Sequence, residues 1–327
     1  MVAQPIIAWH FTDPGCPWAY SARPAHARLA WRFGSQIEWR LVLIGLSETT
    51  EDYVALGVEP AHIAAGLRDF PRRFGMPFGI GAKPRLAAAS RACRAIVAAR
   101  ELDPALGEAA LRALQVMQFT ARGLLDEDDD LRSALAAVPG LDAKAVVGRI
   151  DDPDVVAAYE SDRALARSAE GSPAHAQGRI STGDGPVRYT APSVIFEHSG
   201  GRRIEVGGFQ PFEAYDTALA NLDASLDRRP PPADAAEALG AFPHGLTIAE
   251  VAAILRPVDL VDADLPAVER QLTLLIGDHG VVCESVGGGA LWRLPRPSVG
   301  TAEPDVTSTE APDDYRGPRQ MTRIGRR

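Results

Sequence analysis

The chain has 327 residues, of which 46% are hydrophobic and 24% charged, with a formal net charge of −9 at neutral pH. That length accommodates two or three domains with sizeable cores, and the composition is that of an ordinary globular protein. The negative balance argues against a general binder of nucleic acid or anionic membrane, since neither polyanion is attracted to it.

The N-terminus runs from Met1-Val2-Ala3-Gln4-Pro5 into Ile6-Ile7-Ala8-Trp9 with no basic region ahead of a long apolar one, and no stretch of about 18 apolar residues follows. Neither export nor membrane spanning is expected. Residues 5–12 predict a short strand and Asp13-Pro14-Gly15 a turn. Cys16 then opens a helix with Pro17 at its first position, where a missing N–H costs nothing. The helix continues through Ala22 and Leu29 towards Phe33, Gly34 ends it, and residues 37–44 give a second strand. Strand, helix, strand at this spacing is a βαβ unit, which implies a parallel pair and a right-handed crossover.

From about residue 48 to 172 helical periodicity dominates. Leu86, Cys93, Ile96 and Val97 form one stripe and Leu111, Leu114 and Met117 another. The acidic run Glu127-Asp128-Asp129-Asp130 marks a helix start before Leu131, and a further helix is expected over 154–169. After Gly183-Asp184-Gly185-Pro186 strand chemistry returns: 192–197 and 203–206 flank Ser199-Gly200-Gly201 as a hairpin, followed by a closing helix through Leu226. Arg228-Arg229-Pro230-Pro231-Pro232 reads as a stiff linker. Beyond it, helices around 246–252 and 268–275 and a hairpin of 281–286 with 290–294 about a triple-glycine turn are similar to a winged helix. Its second helical region holds Asp259, Asp262, Asp264, Glu269 and Asp278 against a lone Arg270, the wrong sign for DNA, so a packing or protein-contact role is expected. Residues 295–327 are Pro, Thr, Asp and Arg without periodicity, which predicts a disordered tail. The expected organisation is a sheet domain of 1–47 with 173–227, a helical insertion of 48–172, a linker of 228–235, a winged-helix-like module of 236–294 and the tail.

The most informative element is Cys16-Pro17-Trp18-Ala19. A cysteine at a helix start lies where unpaired N–H groups and the helix dipole favour a thiolate, so an exposed, low-pKa thiol is expected. A redox pair of the Cys-x-x-Cys kind would place a second cysteine at position 19, where the chain has Ala19. Attack of Cys16 on a disulfide gives a mixed disulfide that alanine cannot resolve. Either an external thiol completes the cycle, or a thiol cofactor is bound instead, or redox activity is lost. Cys93 shares an apolar helical stripe and Cys283 lies in the terminal hairpin, so both are expected to pack. With these cysteines widely separated a disulfide framework is not expected, and a reducing, cytoplasmic setting is. Trp18 and Tyr20 either line a pocket over the thiol or make lid contacts. Asp13 orders the turn. Met76-Pro77-Phe78 and Pro84-Arg85 stand where the insertion would overhang the site. The seven histidines show no metal-ligand spacing, and no metal site is expected.

Phe11-Thr12-Asp13-Pro14-Gly15-Cys16-Pro17-Trp18-Ala19, together with Thr190-Ala191-Pro192-Ser193 and Val206-Gly207-Gly208-Phe209-Gln210, resembles the DsbA-like thioredoxin-fold family. The closer branch is the cytoplasmic one of FrnE-type oxidoreductases, related to 2-hydroxychromene-2-carboxylate isomerases and kappa-class glutathione transferases. The resemblance runs over residues 5–226. It implies an α/β thioredoxin-like fold with a helical insertion, and a cis Pro192 whose loop faces Cys16 and offers backbone groups to an extended substrate. Thr190 and Ala191 flank that loop, and Pro17, Trp18 and Ala19 complete the thiol-binding set. The implied activity is thiol-dependent oxidoreduction by a monothiol route through Cys16, on small-molecule or peptide thiols and disulfides. No cofactor is tightly bound in this reading; a low-molecular-weight thiol, glutathione or mycothiol-like, is the resolving partner. Two alternatives stay open: a thiol-cofactor-dependent isomerase or transferase acting on a small aromatic or polyketide-like molecule, and a redox-inactive interaction module.

Overall fold

The computed structural model describes residues 4–55, 57–79, 81–183, 185–257 and 264–295. Strand β1 (Ile6–Thr12) turns Ile6 and Ala8 to one face of the sheet and Phe11 to the other, and both faces are covered. The chain then forms two helices, α1 (Pro17–Ser21) and α2 (Arg23–Phe33), where the sequence predicts one. Pro24 lacks the N–H that would bond back across the junction and its ring crowds the preceding turn, so the ladder breaks at Ala22. Gly34, at φ +53, closes α2, and β2 (Ile37–Leu43) returns parallel to β1 with Ile6 opposite Ile37.

The insertion carries α3 (Glu51–Ala55), α4 (Pro60–Leu67), α5 (Phe70–Phe74), α6 (Ser90–Leu102), α7 (Pro104–Thr120), α8 (Asp128–Leu135), α9 (Ala143–Gly148), α10 (Pro153–Ala166) and α11 (Pro173–Ala176). Cys93, Ile96, Leu111, Leu114, Leu131 and Tyr159 pack its core against Leu41 and Leu43 of β2. Leu86 lies in the loop ahead of α6, outside the stripe assigned to it from periodicity. The short strands β3 (Ile180–Ser181) and β4 (Arg188–Tyr189) pair on either side of the glycine-rich stretch, too short to register as alternation in the sequence. Then β5 (Ser193–Glu197) and β6 (Arg203–Val206) form the hairpin, and α12 (Phe212–Leu222) follows. The main sheet has the order β2-β1-β5-β6, with β5 antiparallel to β1 and β6 antiparallel to β5. Helices α2 and α12 cover one face through Leu29, Phe33, Tyr215 and Leu219. The other face carries Phe11, Val42, Ile195 and the Cys16 side chain.

The C-terminal part comprises α13 (Ala235–Gly240), β7 (Leu246–Thr247), α14 (Ile248–Leu255), α15 (Leu265–His279), β8 (Val282–Val286) and β9 (Gly289–Arg293), with a sheet in the order β7-β9-β8. Helix α13 and strand β7 are additional to the sequence expectation, being shorter than the period that would reveal them. Leu239, Leu246, Val251, Leu272 and Trp292 share one core with Ala27 and Trp31 of α2. The Trp31 indole N–H donates to the Pro230 carbonyl at 2.8 Å, and the Arg229 guanidinium lies 3.4 Å over the ring. Cys283 is exposed: its strand is hydrogen-bonded only to β9 and its side chain faces outward, against the expectation that it packs. Residues 296–327, expected as a tail, lie outside the described residues, as do Asp259 and Asp262. Among the described residues no helix is long and apolar enough to cross a membrane.

Candidate active site

The turn before α1 is built around Asp13. Its carboxylate accepts from the Gly15 N–H at 2.8 Å and from the Leu46 N–H at 2.9 Å, which ties the end of β1 to the chain leaving β2. The Cys93 thiol donates to the same carboxylate at 3.6 Å. Burial raises the Asp13 pKa against the pull of these donors. The side chain thus has the turn-ordering role read from the sequence, and Cys93 has a satisfied, fully buried thiol beneath it.

Cys16 follows in extended conformation, with the α1 backbone beginning at Pro17. Its Sγ donates to the Ala191 carbonyl at 3.2 Å, and the Ala191–Pro192 peptide is cis. The loop of Thr190, Ala191 and Pro192 is therefore brought to the thiol on the same face of the sheet. Their loop is fixed by Ser193, whose Oγ donates to the Thr190 carbonyl at 2.6 Å and accepts from the Gly208 N–H at 2.9 Å. Gly208 sits at φ +72, a conformation that suits glycine.

One expectation is corrected here. The thiol is not exposed: Cys16 is only 5% accessible, packed among Phe11, Ala19, Tyr189 and Ala191. Burial pushes its pKa up to about 12, while the Ala19 and Trp18 amides pull the other way and the Asp13 carboxylate adds to the rise. Desolvation of a thiolate outweighs two amide dipoles at the end of a five-residue helix. Cys16 rests as a neutral thiol. In a Cys283→Ser background its iodoacetamide alkylation rate is expected to rise about tenfold per pH unit from pH 7 to about 11. A plateau at or below neutral pH would show a stabilised thiolate instead.

Trp18 is 37% exposed and stacks edge-on with Phe70 and Phe74 of α5 and with Phe209, at centroid distances of 5.1, 5.5 and 5.6 Å. It is a lid contact. Tyr20 is fully buried; its hydroxyl donates to the Pro77 carbonyl at 3.0 Å and its ring lies against Phe78 and Phe119. The 76–79 strap is held from the other side as well, since the Gly288 N–H donates to the Phe78 carbonyl at 3.0 Å.

Gly15 and Pro17 open onto a cavity of about 880 Å³ under α4. Phe78 and Arg85 line it, whereas Pro84 does not. Sequence reasoning missed Lys83, Arg68 and Arg122 on its walls, because they come from three separate segments with no common spacing. It also missed the Trp18–Phe209 contact, although Phe209 belongs to a segment already singled out. Among the described residues no group of three His, Cys, Asp or Glu is placed to hold a metal.

A mixed sheet with one βαβ unit, a β-hairpin and a helical insertion between them is the thioredoxin-like architecture in its DsbA-like form. The chain belongs to the DSBA-like thioredoxin domain family, whose model matches residues 9–179. Among solved structures it is similar to a candidate protein disulfide isomerase from Nitrosomonas europaea at 17% identity and a TM-score of 0.51, over 67% of this chain and 97% of that one. It is also similar to the cytosolic disulfide reductase DsbM from Pseudomonas aeruginosa (19% identity, TM-score 0.46, 66% and 100% of the two chains). A 2-hydroxychromene-2-carboxylate isomerase matches at 14% identity and a TM-score of 0.41, over 66% and 95%. These likenesses are of fold. No curated protein matches the chain.

Proposed function

We propose that the protein is a monothiol oxidoreductase working through Cys16. The observation that carries this reading is the Cys16 sulfur held against the Ala191 carbonyl of the Pro192 loop, with Ala19 where a resolving thiol would stand. Exchange begins when the Cys16 thiol loses its proton to solvent. The sulfur attacks a substrate disulfide RS–SR′, a Cys16–SR bond forms, the S–S bond of the substrate breaks, and R′S⁻ leaves and takes up a proton. An external thiol R″SH, deprotonated, then attacks the R sulfur, giving RS–SR″ and returning Cys16. The net reaction is RS–SR′ + R″SH → RS–SR″ + R′SH, with electrons balanced. Cys93 takes no part, being buried and committed to Asp13. Pro17, Thr190, Ala191 and Pro192 shape the substrate groove beside the Trp18 lid contact, and a glutathione- or mycothiol-like thiol of a cytoplasmic setting serves as R″SH. The C-terminal part, with its α-β-α-α-β-β order, we read as a winged-helix-like module used for packing.

Mass spectrometry tests the route. Protein treated with hydroxyethyl disulfide in the absence of other thiols is expected to accumulate one mercaptoethanol adduct on Cys16, and glutathione is expected to remove it. Absence of an adduct on Cys16 while Cys283 reacts would sink the reading.

The protonation of Cys16 favours a second reading. A neutral S–H has one proton to donate, and turned from the Ala191 carbonyl to a bound thiol cofactor it stabilises the cofactor's thiolate. The protein would then be a thiol-cofactor-dependent isomerase or transferase acting in the adjacent cavity. Serine at position 16 keeps a donor, so Cys16→Ser retains activity in this case and loses it in the first.

A further inference from the structure

The cavity beside Cys16 has a charge character opposite to that of the whole chain. The chain carries −9, yet the charged side chains that line the cavity are Arg68, Lys83, Arg85 and Arg122, with no carboxylate among them. Arg85 is neutralised by Asp126 and Glu127 behind the wall. Lys83 donates to the Gly123 carbonyl, faces Asp130, and is brought down to about 8 by burial. Arg68 and Arg122 make no ion pair with any described residue. Beside these cations and the polar Tyr53, Gln118 and Thr120, the wall is apolar, from Ile63 and Leu67 of α4 to Phe78, Leu86, Phe119 and Leu124. Helix α4 has no buried residue: Leu67 packs against the Phe78–Phe119 cluster, whereas Ile63 is 38% exposed, so the helix presents apolar surface beside the cavity.

The fourth wall comes from the C-terminal part. Gly287 lines the cavity at φ +55, where a Cβ would meet the Phe78 and Gly79 backbone at 2.9 Å. With the Gly288–Phe78 hydrogen bond this fixes the width of the opening. A volume of about 880 Å³ is that of a small-molecule site and leaves no room for a folded protein.

From these observations we propose that the cavity onto which Gly15 and Pro17 open, next to the Cys16 turn, takes a small amphipathic acid, with an aromatic or branched apolar body and at least one carboxylate. The body lies between α4 and the Phe78–Phe119 wall, and the carboxylate faces Arg68, Lys83 and Arg122. The proposal rests on the reading of Cys16 as the reacting thiol only for what happens after binding; the binding itself is independent of it.

Calorimetric titration of the full chain with 1-naphthoate and with the neutral 1-naphthalenemethanol tests this. Naphthoate is expected to bind at least about tenfold more tightly at low ionic strength, with the gap narrowing as salt screens the exposed guanidinium groups. In the Arg68→Ala/Arg122→Ala double variant naphthoate is expected to lose about tenfold while the alcohol binds as before, which also reports that the cavity is intact. Arg270→Ala, an exposed residue outside the cavity, leaves both unchanged. Equal affinity for the two probes, binding of neither at millimolar concentration, or naphthoate binding unaffected in the double variant overturns the proposal. Cys16→Ser separates the two readings: naphthoate binding is retained there, so unchanged exchange turnover in that variant removes the thiol reading and leaves the acid site standing.

Discussion

Replacing Cys16 with serine is expected to lower disulfide-exchange turnover at least about 1000-fold, since a hydroxyl forms no mixed disulfide. The complementary change, Ala19→Cys, is expected to release the bound half of the substrate as RSH without an external thiol, in one turnover that leaves a disulfide between Cys16 and the introduced thiol; an external reductant then restores the dithiol. Residue 19 lies one helical turn beyond Cys16, and its amide already faces the Cys16 sulfur. A thiol there meets the mixed disulfide intramolecularly, at an effective concentration far above that of a free thiol. The readout is the loss of the R group from the Cys16–SR adduct in a single turnover of reduced protein, followed against glutathione concentration. The native chain should show first-order dependence on glutathione, and the Ala19→Cys chain close to none. A Cys16→Ser chain that still turns over, or an Ala19→Cys chain with undiminished thiol dependence, contradicts the monothiol route.

The second large effect concerns stability and lies away from the thiol. Arg112 on α7 meets Glu250 on α14 in a bidentate pair, with Nη2 to Oε2 at 2.8 Å, and both side chains are nearly inaccessible. Arg23 approaches the same carboxylate at 3.5 Å. Glu250 also closes a capping box with Thr247, whose backbone N–H donates to it at 2.8 Å. Glu250→Ala strands two buried guanidinium groups and removes the side-chain half of the capping box, so a loss of about 3–5 kcal/mol is expected in urea unfolding. A loss below about 1 kcal/mol would mean that water reaches these cations.

The same cluster sets the acid limit. Arg112 and Arg23 hold the Glu250 pKa down to about 2, so its stabilisation is complete above the ordinary carboxylate range and fades as the pH falls towards 2. His26 and His244 are lowered to about 3 by burial and by the neighbouring arginines, and His10 is lowered by burial, by His26 and by Arg23. Above pH 6.5 these imidazoles are neutral in both states. Below it the unfolded chain takes up protons that the folded one refuses, His26 and His244 until about pH 3, costing at most about 1.4 kcal/mol per pH unit for each. The Glu250→Ala defect should therefore narrow in acid while the native chain itself weakens from about pH 6.

Much of this architecture was legible from local pattern. The parallel β1–β2 pair followed from one helix-length gap, and the β5–β6 hairpin from its glycines. The turn role of Asp13 followed from its place before Pro14-Gly15. The break at Ala22 was signalled by Pro24 but hidden by apolar periodicity that runs through it. What sequence could not give was burial at Cys16. The dipole argument concerns backbone within a few residues, whereas desolvation comes from Phe11, Tyr189 and Ala191, two of them more than 170 positions away. The cationic cavity wall was hidden for the same reason, since Arg68, Lys83 and Arg122 meet only once the insertion has folded.

Trp31 shows why the family-matched stretch of this chain is not a portable part. In the intact chain its ring is sandwiched between Arg229 and the apolar side of the C-terminal helices. A fragment cut after α12 would carry that indole, Ala27 and the neighbouring face of α2 bare into water, a sticky stripe that invites self-association. Because Ala27 and Trp31 share one core with Leu239 to Trp292, a piece that keeps this core whole runs through β9.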